Sequence, residues 1–158
     1  MWGRRPPPDD EAIDKTFAEA QKFYRLVTGS MSAEMNQTIE TRVASVVFLF
    51  GAVAAAGDPW EMSPADRAAA FALAQAASGF SDDDAMTMGK FVLEVMDEGD
   101  EDWPWTVAFT CGGEAYEAFR EGSEVRALEL LAEALETAPP VDDAPSGSLA
   151  QRVARVLR

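Results

Sequence analysis

Residues 43–56, Val-Ala-Ser-Val-Val-Phe-Leu-Phe-Gly-Ala-Val-Ala-Ala-Ala, are apolar except for Ser45 and the bare Gly51. A helix of this composition has no polar face, so it must be covered on every side. The run counts 14 residues, short of the roughly 20 a bilayer span needs. It therefore predicts a buried helix in the middle of a bundle. The rest of the chain has to supply the helices that cover it.

The flanking sequence reads as such helices. Asp9 or Asp10 caps a first one running to about Val27, with Ile13, Phe17, Ala20, Tyr24 and Val27 on one stripe and Gly29 as its stop. Ser32 is placed to cap the helix that contains the apolar run, about 33–56, with Met35 and Ile39 opening its stripe; Gly57-Asp58-Pro59 ends it. Ser63-Pro64-Ala65-Asp66 is the sharpest local signal: a serine cap, proline at the first helical position and an acid two residues further on. That third helix is alanine-rich, runs to about Ala77, and has Phe71 and Leu73 as its large apolar groups. Ser81-Asp82-Asp83-Asp84 repeats the capping logic for a fourth, carrying Met88, Phe91, Val92 and Val95 and ending near Glu98-Gly99.

Residues 103–113 are ambiguous. Trp105, Val107 and Phe109 alternate as in a strand, whereas Trp105, Phe109, Gly112 and Tyr116 repeat as in a helix. A lone strand has nothing to pair with, so helix is predicted. Further helices are expected over about 114–121 and, behind a Ser123 cap, 124–137, with Val125, Leu128, Leu131, Ala132 and Leu135 on one face. The expected fold is all-α: a single bundle of six or seven helices with flexible termini. Residues 1–8 form a tail, 9–138 the acidic domain, 139–147 a proline-rich linker and 148–158 a short helix with Arg152, Arg155 and Arg158 on its basic side.

Two stretches resemble known helical families. Ala115 to Pro139 is similar to one tetratricopeptide helix pair, but a single copy cannot build that solenoid. Phe50 to Ala85 is similar to the start of TerB-like helical domains, which carry Ala-Asp-Gly at the turn where this chain has Ala56-Gly57-Asp58. The sequence assigns the chain to neither.

Function has to be argued from charge. Acids number 28 and bases 13 among 158 residues, for a net charge of −15. Nucleic acid and anionic membrane surfaces would be repelled. The chain has no histidine and only one cysteine, Cys111. That excludes a Ser-His-Asp triad, a Cys-His pair, histidine metal sites and an internal disulfide. A free thiol and no apolar leader suit the cytoplasm. Cys111, in apolar surroundings without a close base, reads as a small buried hydrophobe rather than a nucleophile. Gly112-Gly113 lacks the Lys-Ser/Thr of a phosphate loop.

Residues 81–102 hold nine acids against Lys90 alone. A calcium loop counted from Asp97 fails, because Asp102 stands where glycine is required. The sequence calls for no cofactor and no metal. The candidate partner surface is Asp97, Glu98, Asp100, Glu101 and Asp102 with Trp103, Trp105 and Trp60, since tryptophans among acids in loops suit recognition of a basic protein. The competing reading of the tryptophans is that they cover the ends of the core. The expected function is a non-enzymatic acidic protein-binding domain, such as an immunity or antitoxin-type inhibitor of a basic protein. The alternatives are a secretion or assembly chaperone and a helical carboxylate metal protein or enzyme.

Overall fold

The computed structural model describes residues 10–30, 38–98 and 105–139, together with Arg155 and Leu157; within 92–98 the side chains of Val92 and residues 94–98 are outside that description. Among the described residues, six helices follow one another: α1 (Asp10–Ser30), α2 (Ile39–Ala56), α3 (Pro64–Ala77), α4 (Asp82–Glu98), α5 (Thr106–Arg120) and α6 (Glu124–Glu136). A 3-10 turn, Asp58–Trp60, links α2 to α3. The described residues contain no strand. The all-α bundle follows the sequence expectation.

The helix α2 is the hub. It packs most heavily on α5 and also on α1, α3 and α6. Every residue from Val43 to Ala54 is buried, as is Ala56. By length and composition α2 would pass for a membrane span, yet 67% of it is buried inside the bundle. Two aromatic groups cement its covering helices. Phe48 stacks on Phe23 of α1 at 5.9 Å, and Phe23 meets Tyr116 and Phe119 of α5 edge-on. Phe50 packs edge-on against Phe71 of α3 at 5.3 Å and beside Phe109 of α5 at 5.6 Å.

Glycine brings α2 and α5 together. A Cβ at Gly112 would lie 1.9 Å from the Phe48 carbonyl oxygen, and one at Gly51 would lie 2.1 Å from that of Phe109. Backbone meets backbone at both points, so the two axes approach more closely than any side chain there permits.

Caps set the helix ends. Ser63 and Ser81 accept from the amides of Asp66 and Asp84, each at 3.1 Å, as their positions predict. Gly79 and Gly122 adopt positive φ, 109° and 94°. After each, the chain closes back on the preceding helix: Phe80 N–H donates to Gln75 and Ser123 N–H to Ala118. This paired closure satisfies carbonyls at the ends of α3 and α5.

Several expectations are corrected. Thr38, extended and accepting from the Thr41 amide, is the cap of α2, so that helix starts at Ile39 rather than near 33; Ser32 and Met35 lie outside the described residues. Gly29 does not stop α1, which continues to Ser30. Residues 106–120 are one helix, not a doubtful piece followed by a second. Ser123 begins α6 without a side-chain capping bond. The buried face of α6 is Ala127, Leu130, Leu131, Ala134 and Leu135, whereas Val125 is 72% exposed. Of the segment 148–158 the structure describes Arg155, exposed, and Leu157, whose carbonyl accepts from Arg42 at 2.7 Å.

Candidate functional site

The residues singled out by sequence do not assemble into one described surface. Asp97 and Glu98 are the last two residues of α4; Asp100, Glu101, Asp102 and Trp103 lie outside the described residues. Trp105, the residue before α5, is 4% exposed and belongs to the core. Its burial favours the competing reading of the tryptophans, as covers of the core. Trp60, on the 3-10 turn, is 41% exposed, with the Lys15 ammonium 4.8 Å from its ring centre.

The groove between α1, α3 and α4 offers a better-defined site. Helices α1 and α4 both pack on α3 but scarcely on each other. The face of α3 between them stays open as a groove of about 870 Å³. Its floor is small: Ala69, Ala72 and Ala76 of α3, with Ala85 of α4. Its walls carry Ile13, Leu73 and Met86. Leu73 is 44% and Met86 55% exposed, two of the few large apolar side chains that the described surface shows to water. Asp10 and Asp14, one turn apart on α1, stand on one rim and Asp82 on the other. No base lines the groove among the described residues. Asp10 and Asp82 also sit in the first turns of their helices, where the positive end of the dipole favours an acid.

A second groove of about 650 Å³ lies along α2, α5 and α6, over Gly51, Gly113 and Ala54. Its charge is mixed. Glu114, Glu117 and Glu121 line one wall, and Arg126 and the Asp58–Arg67 ion pair, 2.6 Å apart, line the rest. The Arg67 guanidinium also donates to the Ala54 and Met62 carbonyls, so its role is to lock the α2–α3 corner.

The buried polar groups are satisfied. Tyr24 donates to Gln75 at 2.9 Å, and Gln75 to the Met88 sulfur at 3.3 Å. Thr16 donates to the sulfur of Met62 at 3.1 Å. Burial holds the Tyr24 hydroxyl well above its ordinary ionisation range and raises Tyr116 as well. Burial also pushes the Cys111 thiol up, with Glu133 and Glu114 adding to it. A thiol shifted this way is a poor nucleophile. Among the described residues, no three of Asp, Glu and Cys converge to hold a metal ion.

Sequence reasoning missed this site, although a signal was present. Two residues apart on a helix point nearly opposite ways. If Phe71 and Met88 face the core, Leu73 and Met86 cannot. Compared with protein-family models, curated proteins and solved structures, the chain matches none.

Proposed function

We propose that this chain is a non-enzymatic acidic protein-binding domain, and that its concrete form is an inhibitor, of the immunity or antitoxin kind, that neutralises a basic partner. The observation that carries this reading is the α1–α3–α4 groove. It combines exposed apolar walls with an acid rim of Asp10, Asp14 and Asp82 and no lining base among the described residues. Apolar surface supplies affinity, and the rim supplies approach and selection of a positively charged partner. The net charge of −15 acts in the same direction at longer range.

Asp97, Glu98, Asp100, Glu101, Asp102 and Trp103 are a second candidate contact in this proposal. Asp97 and Glu98 end α4, whose 17 residues place them roughly 24 Å from Asp82 at about 1.5 Å per residue.

The test is the ionic-strength dependence of association with a basic partner obtained by affinity capture. The expected result is an association rate that falls steeply with salt, and that drops about tenfold at low salt when Asp10, Asp14 and Asp82 are all changed to lysine. An unchanged rate in that variant removes the charge-driven reading. The chaperone alternative, favoured by the exposure of Leu73 and Met86, would then move ahead.

A further inference from the structure

The same groove indicates what kind of segment fills it, an inference that rests on the protein-binding reading above. We infer that the α1–α3–α4 groove receives a single amphipathic helix of the partner, apolar on the face it buries and rich in arginine or lysine along both edges.

The argument starts from the missing neighbour. Helices α1 and α4 flank α3 and barely touch each other, so the open face of α3 has helical walls on both sides. A trough walled by two helices fits a third helix better than a flat sheet edge. The floor of Ala69, Ala72 and Ala76 keeps side chains short, so a docking helix can approach α3 to the small end of ordinary interaxial distances. Leu73 and Met86 supply apolar side chains that an incoming helix can interlock with, and methionine adapts its shape to what it meets.

Length and charge complete the description. α3 has 14 residues, about 21 Å at the helical rise, which matches a partner segment of about four turns. An extended strand would find no open sheet edge here, because the described residues contain no strand. A second copy of this chain is disfavoured, since Asp10, Asp14 and Asp82 would face another acidic surface. The rims carry acids on both sides, which places the partner's bases along both edges of its apolar stripe.

The experiment uses the full-length chain and three fluorescein-labelled synthetic peptides of about 16 residues, read by fluorescence anisotropy at low salt. The first has leucines at helical spacing and arginines on the flanks. The second has the same net charge, with two central leucines replaced by proline. The third carries glutamate in place of every arginine. The expected result is micromolar binding of the first, at least about tenfold weaker binding of the second, and none of the third. Leu73→Glu and, separately, Met86→Glu should each weaken the first peptide about tenfold. Val125→Glu on the exposed side of α6 should leave it unchanged, with helical content retained in all three. Equal binding of the first and second peptides overturns the helix inference while leaving a basic partner in place. Equal binding of the first and third overturns both. If Val125→Glu weakens binding as much as Leu73→Glu does, the groove is not the site.

Discussion

Gly112 and Gly113 are adjacent in sequence and both helical, yet they should respond in opposite directions to the same substitution. In Gly112→Ala the new Cβ lies 1.9 Å from the Phe48 oxygen, 2.7 Å from its carbonyl carbon and 3.0 Å from its Cα. All three atoms are α2 backbone, so no side chain can rotate away. Ordinary contact begins near 3.4 Å, so α5 would have to withdraw from α2 by about 1.5 Å. That withdrawal loosens the most extensive helix pair of the bundle. A gap of 0.5–1 Å already forfeits roughly a quarter to a half of each dispersion contact. Overpacking of this kind costs about 1–3 kcal/mol or more, against about 1 kcal/mol gained from alanine's helix propensity. The clash wins, with a net loss of up to about 2 kcal/mol. At Gly113 the nearest atoms to an added Cβ are the Gly51 oxygen at 3.6 Å and the Ala55 Cβ at 3.9 Å. Propensity then acts almost alone, and Gly113→Ala should gain about 0.5–1 kcal/mol. Guanidinium unfolding of the two variants decides between them: one midpoint should fall and the other rise, with slopes unchanged. For a domain of this size the Gly112→Ala melting temperature should fall by up to about 6 °C and that of Gly113→Ala rise by about 2 °C. If both glycines respond alike, the close approach of α2 and α5 is wrong.

Other expectations follow from single contacts. Arg67→Ala should cost about 2 kcal/mol, because it leaves the Ala54 and Met62 carbonyls and Asp58 without the guanidinium that ties α3 to the end of α2; Arg67→Lys should recover only part of this in urea unfolding, since an ammonium cannot reach three acceptors in one plane. Tyr24 has its folded-state ionisation raised by burial, so its contribution to stability is complete below the unfolded value near pH 10 and is lost as pH climbs beyond it. Absorbance titration should show Tyr24 ionising together with unfolding, after Tyr116; two tyrosinates forming near pH 10 in the native protein would contradict its burial.

Much of the fold is written in local chemistry. Ser63-Pro64 and Ser81-Asp82 cap the helices they announce because a cap is a contact within four residues, independent of what packs around it. The apolar run 43–56 commits α2 to the centre by composition alone. What the sequence hides depends on contacts across the bundle. Phe23 escaped the α1 stripe because the buried face is broad enough to hold both Phe23 and Tyr24. The face of α6 differs from the expected one because side-chain size points to Val125 and Leu128, whereas the small Ala127 and Ala134 are the buried positions beside Leu130, Leu131 and Leu135. Residues 103–113 read two ways because glycine contributes to no hydrophobic period. Its reason for being at 112 is a carbonyl of another helix. Trp105 reads as a loop residue beside acids, and its burial depends on packing that no local pattern announces. The groove was only partly legible: Phe71 and Leu73 must face opposite sides of α3, but the alanines around them do not show that α1 and α4 leave the Leu73 side open.

Small residues produce both the tightest and the loosest parts of the molecule. Where a glycine of one helix faces the backbone of the other, as Gly51 faces Phe109 and Gly112 faces Phe48, α2 and α5 come into backbone contact. Where α3 presents alanine and its neighbours α1 and α4 stand apart, the same shortness leaves a trough about 870 Å³ in volume. A side chain long enough to fill that trough is easy to supply: Ala69 is exposed on the groove floor, and leucine is nearly as good a helix former. Ala69→Leu should therefore leave thermal stability within about 0.5 kcal/mol of the parent, or raise it, as surface substitutions usually do. It should also block a docking helix by occupying the space its apolar face needs. Stability retained with binding lost identifies the open face of α3 as kept for a partner, since a chain selected for stability alone would gain by filling it. Binding unaffected by a leucine in the middle of the floor would mean that the partner never enters the groove.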